Sequence, residues 1–520
     1  MKSAGVTRTR FERSMVALFY ACFFLLFSSG RLSGGDPNDQ LRASMLLAST
    51  GSLSTEVTGL GDGYNWVPSP DGRLFESHDI GAVLLMLPST LAGSVLRQTS
   101  IEEWLLRPPF IVKAGASLTY AIVAAVGAYF LFLTFGLFHP ARTAFLLSLA
   151  FVTTTPFWAF SRCAFDVLGG AAGVCLLLYA STRILLSEQV RSRDVVAAFA
   201  GLAVAGSFRY SLLPFLGPAL VTILFLRRKD LSLQGFAIAS VTFAALMTPT
   251  FLYNYVRMGS PLRPGTVHAK YLDGMNALTG SPVDGLYGML LSPNWGLLFY
   301  SPQFLLLALL PFLWKRLPVR HRQLCAIWGV ASLVYLTPVS CSVNWHGVVG
   351  WGSRYVVPVL PMFFLLLTLI LTPIWQRHRR LILCFGAASF LTSLPPALVN
   401  WHEATLANSS SPWPEQIRYH WAPTPRQQIA LWHGFLEGLQ GRPLPAPPSW
   451  YQDPMLNSIV AFPDLWTFRI MRLSQAGLAA GLLLTSGFAL AALWASRQLL
   501  RTQPALLPDA SSPCPLPEAS

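Results

Sequence analysis

The chain has 520 residues, 53% hydrophobic and 12% charged, with a mean hydropathy of +0.48. Charged side chains make up roughly a quarter of a soluble domain, so this composition excludes an ordinary water-soluble globule, and its apolar, aromatic content excludes a disordered chain. The formal net charge of +14 would suggest nucleic acid in a soluble protein, but here the basic residues form short clusters between long apolar runs, the pattern of membrane topology.

A span needs about 20 apolar residues. In chain order, candidates lie at 15–29, 111–135, 144–160, 168–186, 195–208, 212–226, 232–253, 297–314, 324–337, 355–375, 381–398 and 475–494, about twelve, several interrupted by Gly or Pro as membrane helices tolerate. The fold class expected is therefore all-α and polytopic. The first candidate has the basic start of a signal peptide but no small-residue cleavage site after it, so it reads as a retained helix. The seven Cys fall mostly inside apolar runs, without metal-ligand spacing, and read as small helix side chains.

With the N-terminus inside, alternate loops collect the Lys and Arg clusters: Arg8, Arg10 and Arg13, then Arg191 and Arg193, Arg227, Arg228 and Lys229, Lys315 and Arg316, and Arg377, Arg379 and Arg380. The excess charge then sits on one side, and both termini are cytoplasmic. The inside loops are too short for a nucleotide-binding domain, and no phosphate-binding Gly-x-x-x-x-Gly-Lys-Ser/Thr loop occurs. The long segments 30–110, 254–296, 340–354 and 399–474 lie outside, and the Pro- and Ser-rich end from 497 reads as a disordered cytoplasmic tail. The organisation expected is a catalytic transmembrane region over 1–398, an outer region of open role at 399–474, and a last helix at 475–496.

The first outer loop opens with Gly34-Gly35-Asp36-Pro37-Asn38-Asp39. Residues 40–49 follow with Leu41, Met45 and Ala48 at helical spacing, which predicts a short helix in the membrane interface. After a polar stretch come His78-Asp79-Ile80-Gly81 and an apolar run at 82–92, broken by Pro88 and too short to span. A carboxylate at the membrane surface is expensive without a partner or a task; Asp36 reads equally as a helix cap.

The order of a basic N-terminus, one helix, and a long outer loop opening on Gly-Asp before an interfacial helix resembles the GT-C glycosyltransferases, membrane enzymes that use polyprenyl-phosphate sugars. Three further stretches are similar: Phe157-Trp158-Ala159-Phe160-Ser161-Arg162-Cys163-Ala164-Phe165-Asp166; Asn254-Tyr255-Val256-Arg257-Met258-Gly259-Ser260-Pro261 with Leu291-Ser292-Pro293-Asn294-Trp295-Gly296-Leu297; and Trp351-Gly352-Ser353-Arg354-Tyr355. Together they run from about residue 15 to 375. Pro37 stands where many members carry a second, adjacent acid. That separates Asp36 from Asp39 and weakens a site for a divalent cation.

The resemblance implies that Asp36, with Asp39, is the base for the acceptor hydroxyl. A phosphate leaving group needs fixed cations rather than a general acid, and Arg162, Arg209, Arg257, Arg263, Lys270 and Arg354 are the outer-side candidates. Arg354 stands out by its Gly-rich approach at 347–352. His78 and Asp79 either orient substrate or form a buried pair. Asp166, at the start of a span, either caps a helix or binds substrate. Trp345, His346 and Trp351 suit a sugar or an interfacial belt, and Tyr355, after Arg354 at the start of a span, either binds substrate or anchors the interface. The partners implied are a polyprenyl-phosphate sugar, a lipid, glycan or protein acceptor, and the membrane, with no nucleic acid and no metal assigned. The rival reading is a transporter or flippase of lipid-linked sugars; it is disfavoured by acids at the membrane surface rather than at the midplane.

The topology has a direct test. Cysteines introduced singly as Ser192→Cys and Ser409→Cys should label from opposite faces, Ser409→Cys from outside and Ser192→Cys from the cytoplasm. Labelling of both from one face contradicts the orientation.

Overall fold

The structure is a computed structural model that describes residues 10–32, 35–55, 66–95, 97, 100–106, 108–162, 164–264, 278–342, 345, 352–400, 425–442 and 462–501. Among them, six helical segments are long and apolar enough to cross a membrane: Phe110–Phe135, Asp166–Leu186, Leu233–Met258, Val319–Cys341, Arg354–Leu398 and Gln475–Arg501. Shorter helices add to them, including Arg10–Phe27, Ile80–Val95, Ala141–Thr154, Ser192–Phe208 and Leu213–Leu226. The chain is thus a polytopic helical membrane protein.

Burial sorts these helices by what they face. Only 22% of the apolar window of Leu233–Met258 and 11% of that of Gln475–Arg501 is buried in the protein. Exposed Leu233, Val241 and Leu252 on one, and Leu483, Leu490 and Leu493 on the other, are tolerable only against lipid. Leu233–Met258 starts at Ser232, whose hydroxyl accepts from the Gly235 N–H, and ends at Gly259 in the left-handed conformation (φ 71°), a helix stop that glycine takes at little cost. Asp166–Leu186 is the opposite case, 83% buried in the middle of the bundle. Its Gly173 lets Ser192–Phe208 approach closely: a Cβ there would stand 2.4 Å from the Ala205 nitrogen, the small-residue contact by which helices pack in lipid.

Some expected spans change form. The run 144–160 is a helix to Thr154 followed by the separate turn Phe157–Phe160, with Pro156 between them. The run 297–314 is broken into Leu297–Tyr300, a 3-10 stretch Pro302–Leu309 and Leu310–Leu313. Residues 355–398 run on as helix with a 3-10 turn at Thr372–Ile374 and non-helical angles at His378, beside the Arg377, Arg379 and Arg380 cluster. The interfacial helix is longer than expected, Gly35–Thr50. The all-α expectation misses a small antiparallel sheet in the first outer loop, Ser54–Thr55 and Trp66–Pro68 on either side of Leu74–Glu76. Its alternation is too short for a periodicity argument. Within 399–474 the described residues hold two further helices, Arg426–Leu439 and Trp466–Met471.

A buried polar node ties the two ends of the chain together. Asp464 accepts from Arg162 at 3.1 Å and pairs with Arg31 at 3.3 Å and with Arg469. Burial pushes the Asp464 carboxyl up, but the three guanidiniums outweigh it and hold the group well below the usual carboxylate range. Removing one member of a buried ion network leaves uncompensated charge. Asp464→Ala should therefore cost about 3–5 kcal/mol of stability, read as a lower unfolding temperature in detergent, while Asp464→Asn should cost less. An unchanged melt for Asp464→Ala would contradict this role.

Candidate active site

The loop after the first helix meets the start of the Arg354–Leu398 segment at a cluster of charges. Asp36 lies in the first turn of Gly35–Thr50 and its Oδ2 accepts from Arg354 Nη1. The same oxygen lies 3.4 Å from His78 Nε2. The ring is held from behind, where Nδ1 contacts Glu76 Oε1 and the His78 N–H donates to Glu76 Oε2 at 3.0 Å. Glu76, which ends the central strand, is fully buried. Arg257 clamps this turn, donating to the Glu76 and His78 carbonyls at 2.7 and 2.8 Å, and Tyr253 donates to the Glu76 carbonyl at 2.6 Å.

Arg354 follows Gly352, whose left-handed φ of 64° suits a residue without a Cβ. Its guanidinium lies 5.3 Å from the centroids of both the Phe165 and Tyr355 rings, and that of Arg209 lies 4.7 Å from the Tyr355 centroid. Arg209 Nε is 3.4 Å from Asp166 Oδ2, while Asp166 Oδ1 accepts from the Val167 N–H at 2.8 Å, so Asp166 both closes its helix start and pairs across the cluster. Asp79 Oδ2 accepts from the Tyr210 N–H at 2.8 Å. Four buried polar atoms of these charged residues have no hydrogen-bond partner: Arg354 Nε, Arg209 Nη1, Arg257 Nε and Asp79 Oδ1.

The charges nearly cancel. Carboxylates 36, 76, 79 and 166 face guanidiniums 209, 257 and 354 and the imidazole of His78. Burial pushes the Asp36 carboxyl up, but Arg354 and His78 outweigh it and hold it well below the usual range. Burial lowers His78, while Glu76 and Asp36 raise it well above its usual value and favour the imidazolium. Asp79 goes the other way: burial dominates and pushes it up to about 6, against the Tyr210 N–H and Arg257.

Of the residues expected from sequence, the structure brings together Asp36, His78, Asp79, Asp166, Arg209, Arg354 and Tyr355. It turns others elsewhere. Asp39 pairs with Arg42 at 2.8 Å and accepts from Trp66 Nε1 at 3.2 Å, partners different from those of Asp36. A divalent cation shared by those two acids does not fit this arrangement, and no group of three or more metal-binding side chains occurs among the described residues. Arg162 uses its N–H groups on the Phe27, Pro396, Val399 and Asp464 carbonyls and on the Asp464 carboxylate. A guanidinium has five such donors, so none is left for substrate. Trp345 is packing: a Cβ at Gly288 would lie 2.0 Å from its ring. His346 lies outside the described residues. Sequence reasoning missed Glu76 altogether; the available signal was its i, i+2 spacing to His78 at the end of an extended run.

A buried carboxylate with one unsatisfied oxygen weakens the fold when ionised. A carboxyl raised in the folded state favours folding below its unfolded value near 3.8, and that contribution is lost as pH rises through about 6. Asp79→Asn, which can still accept from Tyr210, should raise stability at pH 7 by about 1–3 kcal/mol, and the gain should vanish near pH 4. Thermal melts at the two pH values measure this, and a gain independent of pH would contradict it.

No protein-family model and no curated protein matches the chain. Among solved structures it is similar to ArnT from Cupriavidus metallidurans in the apo state, at 14% identity and a TM-score of 0.49, covering 94% of this chain and 74% of that one. The same enzyme bound to undecaprenyl phosphate matches at 14% identity and 0.48 with the same coverage. The oligosaccharyltransferase of Archaeoglobus fulgidus in complex with Zn and sulfate matches at 15% identity and 0.45, covering 81% of this chain and 58% of that one.

Proposed function

We propose that the chain is a membrane glycosyltransferase that moves one sugar from a polyprenyl phosphate to an acceptor hydroxyl on the outer face of the membrane, with inversion. The observation that carries this reading is the pairing of Asp36 with Arg354, which shares the Tyr355 ring with Arg209; each guanidinium keeps a buried N–H without a hydrogen-bond partner. A carboxylate next to such donors supplies the two things the reaction needs, a proton acceptor and an anion site.

In the step, Asp36 takes the proton of the acceptor hydroxyl as the acceptor oxygen bonds to the anomeric carbon. The bond from that carbon to the phosphate oxygen breaks, and its electron pair leaves with the carrier phosphate, stabilised by Arg354 and Arg209. No general acid is needed, because a phosphate leaves as an anion. Asp79 and Asp166, on the far side of Arg209, suit the hydroxyls of the transferred sugar. The Lys and Arg clusters of the alternate loops orient this cluster outward.

Purified protein in nanodiscs, supplied with a panel of radiolabelled polyprenyl-phosphate sugars and membrane-derived acceptors, tests the reading. Transfer should occur with one or a few donors. Asp36→Asn should lower turnover by about 10²–10⁴-fold, the usual cost of losing a general base. Arg354→Ala should abolish donor binding, and Arg354→Lys should restore it only in part, because a point charge cannot copy the planar fork. Turnover of Asp36→Asn within a few-fold of wild type would overturn the base assignment. Carrier movement without transfer would favour a flippase.

A further inference from the structure

We propose that the Asp36–Arg354 ion pair is a resting state that the carrier phosphate breaks: phosphate takes Arg354, and Asp36 stays ionised because His78, braced by Glu76, remains beside it. This rests on the carrier-phosphate reading above and adds an order of events to it.

Two cations share one oxygen. Asp36 Oδ2 is met by Arg354 Nη1 and by His78 Nε2 at 3.4 Å, and the two are anchored very differently. His78 is fixed at three points: Nδ1 and the backbone N–H on Glu76, and the carbonyl under Arg257 at 2.8 Å. Arg354 is held beyond Asp36 by the faces of Phe165 and Tyr355 at 5.3 Å and by the neighbouring Tyr355 side chain, with no ion pair to a second carboxylate among the described residues, and its Nε has no partner. Arg354 is therefore the group that moves.

Pairing of the individual charges, rather than their sum, favours the exchange. A phosphate entering beside Asp36 adds negative charge to a cluster that is already balanced. If Arg354 turns from carboxylate to phosphate, its fork becomes bidentate on the stronger anion. The groups facing His78 are then Asp36, Glu76 and Arg257, with Asp79, Asp166 and Arg209 beyond them, and the imidazolium is the cation left on Asp36. The acceptor's base is thus released only when the donor is present, and an acceptor is not deprotonated in its absence.

The test is undecaprenyl phosphate binding to the full chain in phosphatidylcholine nanodiscs. Because Asp36 competes for Arg354, Asp36→Asn should bind undecaprenyl phosphate about tenfold more tightly than wild type. A variant that fails to fold cannot produce such a gain. Asp36→Ser, which also removes the charge, should shift affinity in the same direction. Unchanged or weaker binding by folded Asp36→Asn overturns the exchange. His78→Gln removes the braced cation from Asp36, so binding should take up more protons than in wild type, and affinity should rise more steeply than wild type as pH falls. A pH dependence equal to wild type overturns the role of His78. If wild type binds and Arg354→Ala does not, yet Asp36→Asn gains nothing, the exchange fails while the carrier reading stands. If wild type does not bind, both fail.

Discussion

The arrangement turns on one ion pair between residues far apart in the chain, Asp36 in the first outer loop and Arg354 at the start of a membrane helix. An unpaired carboxylate or guanidinium at this depth would be costly, so the first loop is drawn onto the bundle where Arg354 emerges. Once there, the loop brings its own short sheet, and the end of that sheet carries Glu76 and His78 to the other side of Asp36. Arg257 fastens the turn from the lipid-facing helix Leu233–Met258. The site is therefore an assembly of a loop, a sheet end and several helix ends, held by charges that cancel only when all are present.

A second charge node does structural work. Around Asp464, guanidiniums from the start and the end of the chain converge with Arg162, and the donors of Arg162 are all engaged by carbonyls and carboxylate. The two nodes differ at their central arginine. At Asp464 the central arginine is saturated. At Asp36 the arginines keep unused N–H groups, and Asp79 is kept as a carboxylate with an oxygen unsatisfied and its acidity weakened. Groups held at such cost in one place are characteristic of sites that bind or react.

The membrane class, most of the helices and the interfacial helix after Asp36 were legible from hydropathy and Lys/Arg placement, because lipid imposes long apolar runs on any chain that crosses it. The candidate site was legible in part. Asp36, His78, Arg209 and Arg354 stand out as charges at the ends of apolar runs, which is where they meet. Arg162 carries the same signal, and only three-dimensional packing shows that its donors are used by the backbone. Asp39 looks equivalent to Asp36 on paper, but the helix sends the two carboxylates to different partners. Glu76 was hidden in a polar stretch whose strands are too short to show a period, and its importance comes from burial, which single-sequence reading does not see.

The central claim is that the carrier phosphate and Asp36 compete for Arg354. The most direct measurement is a cryo-electron microscopy structure of the full chain in nanodiscs with undecaprenyl phosphate bound, compared with one without it. The account predicts phosphate density on Arg354 and Arg209, with the Arg354 guanidinium withdrawn from Asp36 and His78 still beside the carboxylate. Phosphate bound elsewhere, or bound while the Asp36–Arg354 pair stays closed, would contradict it.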